Sequence, residues 1–432
     1  MAWQAKPVPS LFEDLRWRGL VHQMTDEETL APRLDVAGLV AYIGFDPTAD
    51  SLHVGHLQQL CLLRRFQDAG HRPIALVGGG TGMIGDPSGK SDERNLLSPA
   101  QLDANRTAMA AQMSLYLDLG GDGKAILADN EEWLGRARLL EFLRDVGKHF
   151  SVNEMVRKDS VRARLEGREQ SLSFTEFSYM LLQAWDFVQL YDRYGCELQL
   201  GGSDQWGNII EGVDLIRRLR GARAFGLTSP LITKADGSKF GKSEGGNVWL
   251  DPGRTSPYAF FQFWLRTEDG DAGPYLRRLT FLPRERIEEL DAATSERPER
   301  REAQRALAFE VTAGVHGADE ARRAVQAAAV LFTEDIAGLD AATLAGALAD
   351  APTTPVGRGT LESGLEIVAA LTSSGLASSN GEARRLLAQG SVYLNGKRID
   401  ADRTIVPADA LHGRWIVLRV GKRNQQVLEV EG

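Results

Sequence analysis

The strongest constraint on the fold is a strand–helix–strand pattern near the beginning of the chain. Leu39 to Phe45 form an apolar run of strand length that ends in the turn-like sequence Asp46-Pro47-Thr48. Apolar residues then recur at helical spacing as far as Gly70, and Pro73 to Val77 form the next apolar run. Parallel strands need a crossover of this kind. The pattern therefore predicts an α/β protein with a doubly wound, Rossmann-like parallel sheet.

The character of the sequence changes along the chain. Glu197 to Leu200 are expected to form another strand, and Ser203, a favoured N-cap residue, is expected to begin a helix through Arg220. After about Gly253 the chain is helical in pattern, and Ala351 to Gly359 are rich in Pro, Gly and Thr. We predict a Rossmann-like domain with a connecting insertion over residues 1–232, a mobile loop over 233–253, an all-α domain over 254–350, a linker over 351–361 and a small α+β domain over 362–432.

Composition and charge exclude several classes of protein. No segment is apolar for long enough to be a secretory signal or a membrane span, which predicts a cytoplasmic protein without membrane contact. Cys61 and Cys196 are too few for a disulfide framework and are interpreted as small buried residues. The net charge of -9 argues against binding of polyanions by the whole surface. Any nucleic acid must therefore meet a local basic face.

Two glycine-containing motifs imitate nucleotide-binding loops. Gly80 to Gly85 match the dinucleotide pattern GxGxxG, so a dehydrogenase has to be considered. That site needs a helix beginning at the glycines, whereas Asp86-Pro87-Ser88-Gly89 breaks the chain there. Gly89-Lys90-Ser91 resembles the end of a P-loop, but Ile84 occupies the position of the first glycine. Neither motif is expected to bind a nucleotide in these ways.

Two other segments carry residues suited to phosphate chemistry. His53-Val54-Gly55-His56 lies where the first predicted helix begins, so both imidazoles share a face with unpaired backbone N–H groups. Lys239-Phe240-Gly241-Lys242-Ser243 lies in a glycine-rich stretch that is expected to be mobile and to bring two ammonium groups to a phosphate. Taken alone, the first segment is equally consistent with two surface histidines or with half of a metal site that has no obvious third ligand. A segment like the second is more often a solvated basic loop.

Together these segments resemble a known family. Asp46 to His56 and Lys239 to Ser243 resemble the two signature sequences of class I aminoacyl-tRNA synthetases, in the order and separation that the family shows. Gly201 to Asn208 and Ser173 to Tyr179 resemble the tyrosyl enzymes of bacteria, and the similarity covers nearly the whole chain. The resemblance implies a ligase that joins tyrosine to AMP from ATP and transfers it to the 3′ end of tyrosine tRNA. It also implies a homodimer, Mg²⁺ that enters with ATP, no tightly bound cofactor and no metal ligands of the protein's own.

The resemblance assigns a tyrosine site. Tyr179, Gln183 and Asp186 fall at i, i+4 and i+7 of one predicted helix, a polar stripe that in an isolated helix would more often face solvent. The implied contacts are Asp186 and Tyr42 with the substrate phenol, Asp86, Tyr179 and Gln183 with its ammonium group, and Gln205 with the region of its carboxylate. Phenylalanine would leave the phenol acceptor unpaired, so strong rejection is expected, as is familiar for this family.

The resemblance also assigns an ATP site. The implied contacts are Thr48 and His53 with the γ-phosphate, Gly44, Asp46, Gly55, His56, Gly202, Asp204 and Lys242 with ATP or the adenylate, and Lys90, Arg94, Lys239 and Lys242 with the leaving pyrophosphate. The tyrosine carboxylate itself attacks the α-phosphorus, so these residues are expected to supply alignment and charge stabilisation. Ile43 and Glu131 depart from many relatives. We expect them to alter affinity rather than reaction class.

The last segment of the chain resembles an S4-type RNA-binding domain over Glu382 to Lys397. The resemblance implies that residues 254–350 contribute to anticodon recognition. The expected phosphate-contacting side chains are Arg384, Arg385, Lys397, Arg398, Lys422 and Arg423. An exposed basic helix without an RNA partner is the common alternative.

Two other functions are weighed against a tyrosyl enzyme. Tryptophanyl synthetases share the expected fold and dimer but have no use for a phenol acceptor, so Tyr42 with Asp186 favours tyrosine. A non-catalytic RNA-binding protein with this fold would have no need of His53, His56 and the signature lysines.

Overall fold

The computed structural model describes residues 10–86, 97–121, 124–158, 161–162, 173–233, 242–243, 246–330, 336–348, 351–400, 402–421 and 424–431. The chain divides into two compact units. The first contains the residues up to Arg254 together with Thr267–Ala303, and the second contains Thr255–Arg266 together with the chain from Gln304 onwards. No helix among the described residues is both long enough and apolar enough to cross a bilayer.

A six-stranded sheet forms the centre of the first unit. In chain order its strands are β1 (Gln23–Met24), β2 (Val40–Phe45), β3 (Arg72–Val77), β4 (Ile126–Asp129), β5 (Leu198–Gly202) and β6 (Phe225–Ser229). Their spatial order is β1-β6-β5-β2-β3-β4, with β2 to β6 parallel to their neighbours and β1 antiparallel to β6. The chain order reverses between β2 and β5. This topology confirms the predicted doubly wound sheet and locates its ligand crevice at the carboxyl ends of these two strands.

The helices of the first unit follow the strands in the manner of βαβ units. The described helices of this unit before Arg254 are, in chain order, α1 (Leu11–Trp17), α2 (Glu27–Leu34), α3 (Val54–Asp68), α4 (Pro99–Tyr116), α5 (Glu131–Leu134), α6 (Leu139–Asp145), α7 (Val152–Met155), α8 (Phe174–Tyr194) and α9 (Trp206–Arg220). Short 3-10 turns lie at Thr81–Met83, Gly147–His149, Ser203–Gln205 and Pro298–Arg300. Phe187 and Leu190 of α8 and Leu215 of α9 share one apolar core with Tyr42 and Leu76 of the sheet.

Local sequence explains where α8 and α9 begin. Ser173 caps α8 by accepting a hydrogen bond from Glu176 N, while the Glu176 side chain returns to the backbone of Ser173. Gly195, with φ of 65°, ends the helix in the left-handed conformation that glycine favours. The prediction that Ser203 is the N-cap of the next helix is wrong, because Ser203–Gln205 form a 3-10 turn and α9 begins at Trp206.

The second unit combines helices with a five-stranded sheet. The remaining helices among the described residues are α10 (Pro257–Leu265), α11 (Asp269–Leu279), α12 (Arg284–Glu296), α13 (Glu302–His316), α14 (Ala318–Val330), α15 (Ala341–Leu348), α16 (Arg358–Glu362), α17 (Ile367–Ser373) and α18 (Asn380–Ala388), with 3-10 turns at Ile336–Gly338 and Pro407–Asp409. The remaining strands are β7 (Lys242–Ser243) and β8 (Gly246–Asn247), which belong to the first unit, and β9 (Thr353–Gly357), β10 (Leu365–Glu366), β11 (Val392–Leu394), β12 (Lys397–Arg398), β13 (Thr404–Ile405), β14 (Trp415–Val420) and β15 (Asn424–Glu431).

The strand arrangement of the second unit corrects two predicted boundaries. The sheet order is β12-β11-β14-β15-β9, and β9 pairs in parallel with β15. The predicted linker over 351–361 is therefore wrong, since most of it forms an edge strand and the start of α16. Helices α11 and α12 belong to the first unit, so the all-α region predicted over 254–350 is divided between the two units.

Candidate active site

The predicted tyrosine and ATP residues that the structure describes lie mainly at one edge of the first unit. Tyr42 lies within β2 and Asp46 directly after it, Asp86 lies in the segment after β3, and Gly202 and Asp204 lie at and just after the end of β5. The start of α3 and one side of α8 complete the group. Because all these parallel strands end at the same edge, side chains that are far apart in sequence come within hydrogen-bonding distance there.

Asp186 is buried in α8 and lies at the centre of a hydrogen-bonded group. Its carboxylate accepts hydrogen bonds from Asn130 Nδ2 at 2.9 Å and from Trp133 Nε1 at 2.7 Å. Burial raises the pKa of Asp186 to about 7, although both hydrogen bonds act to lower it. The residue is only 2% exposed, so the solvent-facing alternative for this position is wrong. A carboxylate can accept more than two hydrogen bonds, which leaves it able to accept one from a ligand hydroxyl.

Tyr42 supplies a second polar group close to Asp186. It is 1% exposed, its ring lies 5.3 Å from that of Phe187, and its buried hydroxyl has no hydrogen-bond partner among the described residues. Burial, followed by the charge of Asp186, raises the pKa of Tyr42 well above its ordinary value. A buried hydroxyl without a partner costs free energy. A ligand hydroxyl that pairs with Tyr42 would remove this cost.

Asp46 links three elements of the site. Its carboxylate accepts hydrogen bonds from the Tyr179 hydroxyl at 3.0 Å and from Thr81 Oγ1 at 2.9 Å. The Thr81 hydroxyl accepts in turn from Asn130 Nδ2 at 2.9 Å, and Asn130 is also a donor to Asp186. The network therefore joins the two carboxylates and fixes their positions relative to each other.

Gln205 connects Asp86 to Gln183. Gln205 Nε2 donates to Asp86 Oδ2 at 2.7 Å, and Gln205 Oε1 accepts from Gln183 Nε2 at 3.2 Å. Burial, then the charges of Asp46 and Asp86, raise the pKa of Tyr179 well above its ordinary value. The structure thus brings all these predicted residues together. Two carboxylates beside a protonated tyrosine hydroxyl form surroundings that favour an ammonium group.

The two histidines of the first signature lie at the beginning of α3. His53 is the N-cap residue, and its Nδ1 accepts a hydrogen bond from Gly55 N at 3.0 Å. His56 Nδ1 accepts from His53 N at 3.2 Å, and the two ring centroids are 4.0 Å apart. Since both Nδ1 atoms act as acceptors, the neutral rings carry their protons on Nε2. Nε2–H is the group with which each ring can donate to a phosphate oxygen.

Several of the predicted nucleotide contacts are glycines or exposed residues close to the strand ends. A Cβ atom on Gly55 would lie 2.7 Å from His53 Cε1, so only glycine leaves room for this ring. Gly44 is exposed in β2, with no other atom within 4 Å of the position of a Cβ, and a ligand can approach its backbone. Thr48 and Asp204 are exposed, and they lie a few residues after the ends of β2 and β5, respectively.

The second signature is only partly described. Lys90, Arg94 and Lys239 lie outside the described residues, as does the side chain of Lys242. The backbone of Lys242–Ser243 pairs with that of Gly246–Asn247. The predicted contacts of these four cations with phosphate remain predictions.

Four polar residues of the site were missed in the sequence. Asn130 and Trp133 hold Asp186, and Thr81 holds Asp46. Gln199 stands opposite Tyr42 in the β2–β5 register and has a buried Oε1 without a partner among the described residues. The signal for Asn130 and Trp133 was their place directly after β4, since site residues gather at strand ends in this fold.

The GxGxxG segment has a structural role in the same network. Gly80 N donates to Asn130 Oδ1 at 2.8 Å, and Thr81–Met83 form a 3-10 turn rather than the beginning of a longer helix. The dinucleotide site would need these N–H groups and a helix for a pyrophosphate. The structure therefore agrees with the rejection of a dehydrogenase.

Glu131, one of the departures noted in the sequence, has a partner of its own. Its carboxylate pairs with Arg106 of α4, which also binds Asp129 at 3.0 Å and pairs with Asp103. The side chain of Glu131 is therefore occupied by a local ion-pair network, while its neighbour Asn130 faces Asp186.

In the second unit, the predicted RNA-contacting residues that the structure describes lie on helix α18 and on the edge strand β12. Arg384 and Arg385 are exposed on α18, and Lys397 and Arg398 are exposed on β12. The guanidinium group of Arg398 packs against Gly390, which follows α18. Tyr393 pairs with Arg398 on one side and with Arg419 on the other, and the Arg419 guanidinium lies 4.0 Å from its ring centroid. Arg419 was missed in the sequence, and Lys422 and Arg423 lie outside the described residues.

Comparisons with known proteins agree with this geometry. Residues 37–333 match the family of class I tRNA synthetases (W and Y), and residues 344–428 match the SYY-like C-terminal domain of tyrosine–tRNA ligases. The chain is 50% identical to the tyrosine–tRNA ligase of Roseiflexus castenholzii over 98% of this chain and 99% of that one. It is 49% identical to that of Geobacillus stearothermophilus over 97% and 99% of the two chains.

Solved structures give the same result. A C-terminally truncated mitochondrial tyrosyl-tRNA synthetase from Aspergillus nidulans superposes with a TM-score of 0.68 and 32% identity, over 75% of this chain and 95% of that one. A tryptophanyl-tRNA synthetase from Encephalitozoon cuniculi has a TM-score of 0.54 at 16% identity, over 72% and 89%, and shares the fold. The chain therefore belongs to the class I tRNA synthetases of the W and Y family, on the bacterial tyrosyl branch.

Proposed function

We propose that this protein is a tyrosine–tRNA ligase that activates L-tyrosine with ATP and then transfers the tyrosyl group to the 3′ end of tyrosine tRNA. The observation that carries the proposal is the buried pair of Asp186 and Tyr42. Asp186 is an acceptor held by Asn130 and Trp133, and the Tyr42 hydroxyl has no partner among the described residues. Such a pair suits a ligand hydroxyl at the end of an aromatic ring. An indole has an N–H donor but no acceptor, so it could donate to Asp186 but would leave the Tyr42 hydroxyl without an acceptor.

The positions of these residues support a proposal for the first reaction. Tyrosine binds with its phenol at Asp186 and its ammonium group near Asp46, Asp86 and Tyr179. Its carboxylate oxygen attacks the α-phosphorus of ATP, the bond to the bridging oxygen breaks, and pyrophosphate leaves with the electron pair. The side chains supply alignment and donors for the developing charge, because no covalent intermediate with the protein is needed.

The ATP phosphates meet the beginning of α3 in this proposal. His53 and His56 offer Nε2–H groups beside the helix N-terminus, where the helix dipole favours anions. We infer that Thr48 and His53 contact the γ-phosphate, while Lys90, Arg94, Lys239 and Lys242 neutralise the leaving pyrophosphate. Among the described residues, no three His, Cys, Asp or Glu side chains lie close enough to hold a metal ion. We propose that Mg²⁺ enters as part of the substrate MgATP, bound through phosphate oxygens.

The second unit is proposed to bind the tRNA. The exposed arginines of α18 and β12, together with Arg419 on Tyr393, combine positive charge with an aromatic face, which suits irregular RNA. Because the product is used in translation, we propose that the protein acts in the cytoplasm.

A homodimer is proposed from the first unit. Helix α6 buries none of its residues, and Leu139, Leu140 and Leu143 on it are 71%, 80% and 47% exposed. Three large apolar side chains on one short helix are typical of a surface that a partner covers. A second copy of the chain is the partner we propose. Sedimentation should give twice the chain mass and Leu140→Asp should halve it; a monomeric wild-type chain would refute the proposal.

The test of the proposed activity is ATP–pyrophosphate exchange driven by single amino acids. Exchange is expected with tyrosine and to be far weaker with tryptophan and phenylalanine. Exchange with tryptophan instead of tyrosine would identify the tryptophanyl alternative. Exchange with none of the three, together with retained tRNA binding, would identify a non-catalytic RNA-binding protein.

A further inference from the structure

Backbone hydrogen bonds join the first signature to the residues that follow the second signature in sequence. Val54 N donates to Val248 O at 3.0 Å, and Leu250 N donates to Leu52 O at 2.8 Å. His53 and Trp249 form an antiparallel bridge between these hydrogen bonds. The chain leaving the second signature is therefore paired with the residues that begin α3.

Side chains reinforce this backbone contact. The guanidinium carbon of Arg254 lies 3.5 Å from the Trp249 ring centroid, and the same guanidinium pairs with Asp50. The Trp249 ring in turn meets the edge of the His53 ring, with centroids 6.0 Å apart and an interplanar angle of 70°. We name Asp50, Trp249 and Arg254 the signature clamp. It contacts His53 through the Trp249 ring, and Gly55 N fixes the same imidazole by a hydrogen bond to its Nδ1.

We propose that Trp249 and Arg254 are positioning residues for adenylate formation, which act by fixing the His53 ring in the direction of the ATP phosphates. The inference deepens the proposed function and rests on it, because it takes His53 to be an ATP contact. Asp50 lies between Thr48 and His53, so the clamp fixes the loop that carries both proposed γ-phosphate contacts. A small displacement of such a contact lowers the rate strongly, because the transition state requires close alignment.

Exposure argues against a role in folding alone. Arg254 and Asp50 are 37% and 62% exposed, and ion pairs at such positions contribute little to the free energy of unfolding. The contact of Arg254 with Trp249 is a surface contact as well. Loss of the Arg254 side chain is therefore expected to leave the fold intact and to change the freedom of the Trp249 and His53 rings.

The first experiment compares substitutions in the clamp by the rate of tyrosyl-adenylate formation in a single turnover. Trp249→Ala is expected to slow this step by about 10- to 100-fold, with tyrosine affinity changed less than about twofold. Trp249→Phe, which keeps a ring against His53, should retain most of the rate. Arg254→Met should slow the step less than Trp249→Ala, and Arg254→Lys should lie between Arg254→Met and the wild type.

Arg284 provides a matched control in the same unit. Its guanidinium also lies over a tryptophan ring, 5.2 Å from the centroid of Trp17, and it also pairs with a carboxylate, that of Glu288. Arg284→Met should therefore remove the same kinds of contact without changing the rate. A fall in rate equal to that of Arg254→Met would overturn the inference.

A double-mutant cycle separates positioning through His53 from a general effect. If the clamp acts through His53, then His53→Ala should cost much less in the Trp249→Ala or Arg254→Met background than in the wild type, and nearly the full amount in the Trp249→Phe background. Additive losses in the Trp249→Ala and Arg254→Met backgrounds would overturn the inference, and so would Trp249→Ala and Arg254→Met chains that fold and react at the wild-type rate. In both cases wild-type exchange with tyrosine keeps the proposed function intact. A wild-type chain without tyrosine-dependent exchange would refute the proposed function and the inference together.

Discussion

Asp186 shows how burial and hydrogen bonding set the chemistry of a single residue. Burial raises its pKa to about 7, whereas the hydrogen bonds from Asn130 and Trp133 favour the charged form. The carboxyl group therefore changes its charge near neutral pH. Only the carboxylate form is purely an acceptor, so the charge of Asp186 decides how well the site accepts a phenol hydrogen.

The pH dependence of tyrosine binding follows from this. As pH rises from 6 to 8, the fraction of Asp186 that is ionised increases, so KM for tyrosine in the exchange reaction should fall. Phenylalanine has no hydroxyl, and the KM of its weak exchange should change little over the same range. A KM for tyrosine that is constant or rises between pH 6 and 8 would contradict the assignment of Asp186 to the phenol.

Asp186→Asn tests the same residue by charge instead of pH. Asparagine can still accept from Trp133, but its NH₂ group would face the NH₂ group of Asn130, and the charged acceptor is lost. We expect tyrosine affinity to fall by about 1.5–3 kcal/mol and phenylalanine affinity to change much less. Equal losses for both amino acids, measured by equilibrium binding, would indicate a general collapse of the site.

Individual site residues differ in how far the sequence predicts them. Tyr179, Gln183 and Asp186 are named correctly as a polar stripe, yet the stripe alone favours the wrong environment, because helical spacing does not tell a buried polar face from a solvated one. Thr81 and Asn130 were missed because they bind other side chains of the site. Their importance depends on strands β3 and β4 lying side by side, which local sequence does not specify.

At the scale of elements, the end of α11 is held by two buried arginines of the same unit. Arg18 donates to the carbonyl oxygens of Arg277 and Leu282, each at 3.0 Å, and Arg65 donates to that of Thr280. The last carbonyl groups of a helix have no partners within it, and cations there also complement the helix dipole. Burial lowers the pKa of Arg65 to about 9, which is still high enough for a positive charge at neutral pH.

Arg65→Met should therefore weaken the first unit. Methionine keeps most of the apolar volume but leaves the carbonyl oxygen of Thr280 with fewer donors, so the free energy of unfolding should fall by about 1–3 kcal/mol. Arg284→Met removes an exposed ion pair on α12 and should change it by less than about 0.5 kcal/mol. Urea denaturation of both variants makes the comparison. Equal effects would show that Arg65 has no special role at the helix end.

Elements with strong local signals were predicted, and those formed by distant pairing were not. Strands β2 and β3 and helix α3 follow from apolar spacing that the sequence shows directly. The sequence predicts a linker where β9 lies, because Thr353, Pro355 and Gly357 are typical of loops. It is a strand only because β15, more than sixty residues later, pairs with it. Pro355 is tolerated there since β9 lies at the edge of the sheet.

At the scale of the whole molecule, the two units divide the proposed chemistry. The described tyrosine and ATP residues all belong to the first unit, and the predicted RNA-contacting residues all belong to the second. The chain carries a net charge of -9, yet residues 362–432 contain nine Lys and Arg against eight Asp and Glu. Binding of RNA must therefore depend on where a few arginines lie, and it should respond to their removal more than net charge suggests.

Removal of the C-terminal segment is a poor test of that division. Trp415, Val417 and Val427 share an apolar core with Ile336 and Leu344 of the preceding helical region. A chain that ends before Glu362 would expose this core and would lose strand β15, the partner of β9. Point substitutions in the full chain avoid both effects.

Arg384→Ala combined with Arg398→Ala provides the sharper test. Both side chains are exposed, so the fold should persist, while two proposed phosphate contacts are lost. Binding of tyrosine tRNA should weaken, and the slope of log K against log salt should become shallower by about 1 for each arginine. Adenylate formation should stay at the wild-type rate, because its proposed residues lie in the first unit.

The control for this test is Arg322→Ala combined with Arg323→Ala. It removes two exposed arginines of α14 that pair with Asp319 and Glu320, and it should leave the salt slope unchanged. If both double variants give the same slope, the positive charge of α18 and β12 does not contact the RNA.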